Sequence, residues 1–309
     1  MTGVVTEKII EINGLHKKYK DVYAVNGLDI TVYEGDVFGF LGPNGAGKST
    51  TIRMLMTLIF PTAGDIKLFG RDIYKERKYI LSRVGAIVEK PDFYGYLTAY
   101  KNLEILARTS GYPVTKKRIM EILEMVGLEK RYSSKVKTFS HGMKQRLGIA
   151  QALIHDPKLI ILDEPTTGLD PQGMKEIREL VVSLSKDHQK TIFLSSHILY
   201  EVELIANRMV IIDKGKTVIE GYVEDLLNAA ETRVNIEVNN PEKAVQLINE
   251  SNFKGRIDDV SNSTIIMFMK KDEIAPLNKK LVENGIEVSS LIPTRSLEEY
   301  FLNLTGKGE

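Results

Sequence analysis

Apolar positions along the chain recur with two periods. Val37 to Leu41 is a short unbroken apolar run bounded by Gly35 and Gly42, the pattern of a strand buried on both faces. After it, Ile52, Leu55, Met56 and Ile59 share one helical face, and the breaker cluster from Pro61 to Gly64 predicts a helix end near Phe60. Residues from about 98 to 155 read as mainly helical, with Ile119, Ile122, Leu123 and Val126 on one face and Gly127 at its end. A buried strand is predicted at Leu159–Leu162, then a helix after Asp170 with Pro171 in its first position. A strand at Thr191–Leu194 and a helix marked by Ile198, Val202 and Ile205 follow. Met209–Ile212 and Lys216–Ile219 read as a hairpin joined at Lys214-Gly215. This alternation of apolar runs with helical patterns predicts an α/β protein.

Beyond Gly221 the pattern changes. Val234, Ile236 and Val238 alternate with polar residues, as in a half-buried strand. A helix from Pro241 to Glu250, a weak strand near Ile257 and a strand at Thr264–Met269 follow. A helix carrying Ile274, Leu277 and Leu281 then leads to a strand at Ile286–Val288. The order βαββαβ is that of a ferredoxin-like unit. Ser296, with Glu299 three residues on, predicts a last helix. The expected organisation is a domain over 1–225, with a helical subdomain at about 90–157, a linker at 226–231 and an accessory α+β domain over 232–309.

Composition narrows the chemistry. The 309 residues carry 42 Lys and Arg against 41 Asp and Glu, a net charge of +1, which removes the electrostatic case for a dedicated nucleic-acid binder. No cysteine is present, so a disulfide scaffold, a thiol nucleophile and a thiolate zinc site are excluded. No stretch approaches the ~18 apolar residues of a membrane span. The best candidate, Ile52–Phe60, is nine residues long and contains Arg53. The N-terminal segment has no apolar signal core. These features predict a cytoplasmic chain that does not cross a membrane by itself.

The loop Gly42-Pro43-Asn44-Gly45-Ala46-Gly47-Lys48-Ser49, followed by Thr50, fits the phosphate-binding pattern G-x-x-x-x-G-K-[ST] between a strand and a helix. Glycines let backbone N–H groups aim at phosphate oxygens, and the helix N-terminus adds partial positive charge. Lys48 is placed to reach the terminal phosphates, and the Ser49 hydroxyl to bind magnesium. A second carboxylate set ends the strand Leu159–Leu162: Asp163 for magnesium and Glu164 for the attacking water. An acidic strand end that caps a turn is the plainer alternative for that pair. His197, after the Thr191–Leu194 strand, could bond the γ-phosphate, although a histidine at such a junction is also an ordinary polar residue.

With these elements in order, the sequence resembles the ATP-binding subunits of ABC transporters over roughly residues 7–225. Beyond the phosphate loop, the resemblance rests on Phe139-Ser140-His141-Gly142-Met143-Lys144-Gln145-Arg146, on Leu162-Asp163-Glu164-Pro165-Thr166-Thr167-Gly168-Leu169-Asp170 and on Ser195-Ser196-His197. It implies a P-loop ATPase fold, with a mixed sheet and a helical subdomain, that uses ATP and magnesium. It also implies a head-to-tail dimer in which Ser140, His141 and Gly142 of one subunit meet the γ-phosphate bound by the other. Asp170 would contact the opposite subunit and also suits a helix N-cap. Tyr19 matches the adenine-stacking aromatic, with Tyr23 as the competing ring. A separate transmembrane permease subunit would dock near residues 90–100, holding the chain on the cytoplasmic face of the membrane.

Two positions depart from the family pattern. His141 stands where a glycine is usual. Glu89 stands where the family has a Gln that binds magnesium and senses the transport partner; Glu there resembles the bacitracin-type antibiotic-export subgroup. The implied function is an ATPase motor for export of a drug, antibiotic peptide or lipid-like substrate. The alternative is a soluble ABC ATPase acting on ribosomes or nucleic acid. One phosphate loop, no long heptad stretch and no basic stripe argue against it. Lys48→Ala is expected to abolish tight ATP binding in an equilibrium binding assay; unchanged affinity would contradict the phosphate-loop reading.

Overall fold

In the computed structural model, which describes residues 7–112, 114–229 and 232–294, the chain opens with two long strands that the apolar-run pattern does not predict. β1 (Lys8–Tyr19) and β2 (Val22–Tyr33) pair antiparallel. Register shifts between Ile12 and Leu15 and between Lys17 and Lys18 break the period-two alternation, which hides these strands from a sequence reading. β3 (Val37–Leu41) leaves for a second sheet, while β4 (Ala63–Leu68) and β5 (Arg71–Asp72) return to the first, in the order β2-β1-β4-β5.

The second sheet adds β6 (Val84–Ile87), β7 (Leu159–Leu162), β8 (Thr191–Ser196), β9 (Arg208–Asp213) and β10 (Lys216–Tyr222), in the order β10-β9-β3-β8-β7-β6. Only β10 runs antiparallel to its neighbour. Every residue of β3, β7 and β8 is buried, as expected for parallel strands covered on both faces. The β9–β10 turn holds Lys214 and Gly215 at φ 47° and 77°, the left-handed pair that a two-residue hairpin needs.

Helix α1 (Lys48–Leu55) stops before the expected end near Phe60. Thr57 takes φ 54°, its N–H donates to Met54 O at 3.0 Å, and the Leu58 N–H donates to Arg53 O at 2.8 Å. This crossed pair of bonds terminates the helix. It leaves Leu58 and Phe60 exposed rather than on a core face. A short helix α2 (Arg77–Leu81) precedes β6. Helices α3 (Ala99–Thr109), α4 (Lys116–Met125) and α5 (His141–Ala152) occupy the segment before β7; α6 (Pro171–Lys186) and α7 (Leu199–Glu203) flank β8. Thr98, Thr115, Ser140 and Asp170 each cap their helix through a side-chain oxygen.

Contacts divide the chain into two compact units, residues 1–223 and 224–309. Part of the expected linker is helix α8 (Val223–Ala229), with Glu224 and Asp225 in its first turn, where the helix dipole favours acids. The second unit runs β11 (Thr232–Val238), α9 (Pro241–Asn249), β12 (Ile257–Ser261), β13 (Thr264–Met269), α10 (Lys271–Glu283) and β14 (Val288–Thr294). Its antiparallel sheet has the order β12-β13-β11-β14. Val234, Ile236, Ile265 and Met267 pack with Ala244, Ile248, Leu277 and Leu281 in its core. The last strand begins at Val288, after the buried Ile286, later than the expected Ile286–Val288. The helix expected from Ser296 lies outside the described residues.

In the first unit, Phe38, Phe40 and Phe193 share one core with Ile10 and Ile12 of β1 and with Ile52 and Met54 of α1. The Phe193 ring lies 5.8 Å from Phe38 and 5.2 Å from Phe40 between centroids. Phe193→Ala is predicted to destabilise this unit by about 3–5 kcal/mol in urea unfolding. A loss below about 1 kcal/mol, the range of an ordinary surface change, would contradict this packing.

Candidate functional site

The three buried strands β3, β8 and β7 end side by side, with Leu41 paired to Ser196 and Leu162 to Leu194. The residues that follow them, Gly42, His197 and Asp163, therefore emerge at one edge, where parallel sheets bind their ligands. The loop after β3 is tightly folded. A Cβ on Gly42 would lie 2.3 Å from Ile212 O, and one on Gly47, at φ 110°, 2.3 Å from Ala24 O. No side chain fits at either position. The β9–β10 turn braces the loop, since Gly215 N–H donates to Ala46 O at 3.0 Å.

Lys48 opens α1 but is 6% exposed. Its ammonium donates to Gly42 O at 2.6 Å and to Pro43 O at 3.2 Å, and lies 3.3 Å from Glu164 Oε1. Glu164 holds φ 50°. Its Oε2 accepts from Thr167 Oγ1 at 2.9 Å and meets His197 Nδ1 at 2.7 Å. An ionised carboxylate only accepts, so Nδ1 is the donor there. Burial alone would raise the Glu164 pKa. The bonds from His197 and Thr167 and the Lys48 charge outweigh it, so the pKa is lowered. The Ser195 hydroxyl donates to Asp163 Oδ1 at 2.5 Å and accepts the Glu164 N–H at 3.0 Å, fixing both carboxylates to β8.

An open cavity of about 430 Å³ lies over these groups, lined by Asn44, Gly45, Gly47, Lys48, Ser49, Thr50, Glu164, Thr167 and His197, with Ala24 from β2. Among the described residues, no cluster of three or more His, Cys, Asp or Glu could cage a metal. Of the oxygen groups expected to hold magnesium, the Ser49 hydroxyl lines the cavity, whereas Asp163, bonded to Ser195, and Glu89 lie outside its lining. So sparse an oxygen set fits magnesium, which keeps waters and takes substrate phosphates as ligands.

The sequence profile described as ABC transporter matches residues 25–167. The bacitracin transport ATP-binding protein BcrA of Bacillus licheniformis is 46% identical over 97% of this chain and 98% of its own. The Nod factor export ATP-binding protein I of Cupriavidus pinatubonensis is 37% identical over 97% of this chain and 91% of its own. The chain belongs to the ABC transporter family. It is one of the family's ATP-binding subunits, and an ATPase. Among solved structures, cbiO1 from Clostridium perfringens, part of the ABC transporter complex cbiONQ, matches with a TM-score of 0.66 and 25% identity. That match covers 80% of this chain and 96% of cbiO1. The ATP-binding cassette MJ0796, dimeric in a post-hydrolysis state with ADP and Pi, matches with a TM-score of 0.62 and 25% identity, covering 70% and 99%.

Other residues singled out from the sequence of this ABC subunit lie away from the cavity lining. Ser140 caps α5, accepting from the Met143 N–H at 3.2 Å, and His141 Nδ1 lies 3.0 Å from Gly168 O. Gly142 follows in the first turn of α5. Asp170 accepts from the Gly173 N–H at 2.8 Å, which makes it the N-cap of α6. Tyr19 and Tyr23 are equally exposed at the β1–β2 hairpin, each with a lysine over its ring. Glu89 is paired with Arg53 rather than with the cavity donors. Thr167 and Ser195 both lie inside motifs readable in the sequence, yet their roles as partners of Glu164 and Asp163 emerge only from the fold.

Removing the His197 ring deletes the strongest lowering contact on Glu164. His197→Ala is therefore expected to shift the Glu164 carboxyl resonance, followed by ¹³C NMR, to titrate at higher pH. The lowered pKa contributes stability above the ordinary glutamate value, and this is lost as pH falls through the lowered one. The variant should show a smaller acid dependence of stability. An unchanged Glu164 titration would contradict the contact.

Proposed function

We propose that this subunit is the ATP-driven motor of an exporter whose pore lies on a separate chain. The observation that carries the reading is the placement of Glu164, between the phosphate-loop lysine and His197, at the edge of the cavity. ATP phosphates would lie along the N–H groups from Gly45 to Thr50, and their oxygens would take over the ammonium of Lys48 from the carbonyls of Gly42 and Pro43. Ser49 and Asp163 are the residues suited to hold magnesium. When bound, magnesium neutralises charge on the phosphate oxygens.

Glu164 is ionised at neutral pH, as a general base must be before it takes a proton. It accepts a proton from water as the water oxygen attacks the γ-phosphorus. The bond to the β–γ bridging oxygen breaks, and ADP leaves with the electron pair. His197 orients the carboxylate and the water.

A second copy completes the site head to tail. Ser140, His141 and Gly142, at the start of α5, face the γ-phosphate held by the partner copy, and Asp170 contacts that copy. Tyr19 stacks on the adenine, an interaction tolerant of base identity. Transport in this reading runs through a transmembrane permease on another chain; none of the described helices is long and apolar enough to cross a membrane. The exposed rings of Tyr94 and Tyr96, 51% and 67% accessible, suit its docking near residues 90–100 on the cytoplasmic side. The name of the bacitracin relative supports transport, and that of the Nod factor relative supports export as the direction.

Glu164→Gln keeps the shape and removes the base. It is expected to bind ATP and accumulate a closed dimer, seen by size-exclusion chromatography, with hydrolysis lowered at least ~10²-fold, the low end of a general base's contribution. Near-normal turnover would remove Glu164 from this role.

A further inference from the structure

A turn between β7 and α6 sets the direction of Glu164. Glu164 and Gly168 take φ 50° and 76°, and the Thr167 N–H donates to Glu164 O at 3.2 Å. Thr167 Oγ1 donates to Glu164 Oε2 at 2.9 Å, so the aim of the carboxylate depends on where the turn holds Thr167. Pro165 and Thr166 are buried, but Thr167 and Gly168 are exposed. A left-handed glutamate persists only where its surroundings over-determine it, so the exposed limb needs a partner of its own. The start of α5 supplies one: His141 Nδ1 lies 3.0 Å from Gly168 O. A carbonyl oxygen only accepts, so Nδ1 carries the proton and donates. A Cβ on Gly168 would lie 3.2 Å from His141 Cε1, which places ring and turn in close contact.

Helix α5 is a firm anchor for that ring. Leu147, Ile149 and Ala150 are buried, Arg146 donates to the carbonyls of Val126 and Gly127, and its guanidinium pairs with Glu176 of α6 at 3.3 Å. A continuous path thus runs from α5 through His141, Gly168 and Thr167 to the carboxylate at the cavity edge. A glycine at position 141, the usual residue of the family, has no side chain to make the first of these bonds. We infer that His141 is a positioning residue for Glu164: its ring clamps the exposed limb of the turn, and the turn aims the carboxylate through Thr167. The Nδ1 donor is thereby committed to its own chain, and the backbone N–H of His141 is what this residue leaves for a partner's phosphate. The inference rests on Glu164 acting as the base, as proposed above.

The test is steady-state ATP hydrolysis by the full chain, resolved into kcat and KM. His141→Ala is expected to lower kcat by roughly two- to ten-fold, the worth of one hydrogen bond, with the KM for ATP unchanged. His141→Asn places an amide N–H where Nδ1 stands and should recover most of the lost kcat. In a Thr167→Ala background the path is already cut, so His141→Ala should cost nothing further. The same fold-loss in that background would overturn the inference, as would a rise in KM at constant kcat, an Asn variant as slow as the Ala variant, or an unchanged kcat. If Glu164→Gln hydrolyses ATP at a near-normal rate, the base reading falls and this inference with it. Loss of turnover in Glu164→Gln beside an unaffected His141→Ala removes only the role of His141.

Discussion

The ammonium of Lys48 reaches Glu164 at 3.3 Å because β3, β8 and β7 run parallel and bring their C-terminal ends together. The two residues are 116 positions apart, and no local geometry brings them together. Burial of every residue in the three strands holds the register, since a one-residue slip would reverse which side chains face each covering layer. The phosphate loop, the two carboxylates and His197 thus share one sheet edge. The β9–β10 turn adds a brace from the next strand pair, through Gly215 and Ala46.

Charge within that edge is closely balanced. Lys48 is nearly inaccessible, yet its ammonium has two loop carbonyls and a carboxylate. Glu164 in turn has three donors, and together they keep it ionised against the pull of burial. Phosphate oxygens can enter by exchange of partners at Lys48 rather than by desolvation of a free cation, which keeps the cost of occupancy low. The same exchange would loosen the hold of Lys48 on Glu164 and direct the carboxylate toward His197 and water. A site that rearranges its ion pairs on binding is suited to couple nucleotide state to the contact between two subunits.

Much of this site is legible in the sequence because its parts are contiguous. The loop from Gly42 to Ser49, the run ending in Asp163 and Glu164, and Ser195 to His197 each carry their chemistry within a few residues of a strand end. Less legible are features that depend on register or on distant partners. The bulges of β1 disguise its alternation, and the left-handed Thr57 stops α1 where apolar periodicity runs on to Ile59. Glu89 stands out by residue type alone, but its pairing with Arg53 depends on how β6 lies relative to α1. The helical stretch at 223–229 reads as a linker because seven residues, with Glu224, Asp225 and Asn228 among them, are too few to repeat an apolar face, although Val223 and Leu226 are buried.

The composite arrangement is tested most directly by mixing two defective chains. Under the proposed head-to-tail arrangement, Lys48→Ala lacks the phosphate-binding lysine and Ser140→Ala lacks the hydroxyl offered to the partner, so neither alone would build an intact site. A mixed dimer holds one intact site, with the loop of the Ser140→Ala copy and the Ser140 of the Lys48→Ala copy. ATP hydrolysis by the mixture should exceed that of either variant at equal total protein. A rate no higher than the mean of the two would contradict a site shared between subunits.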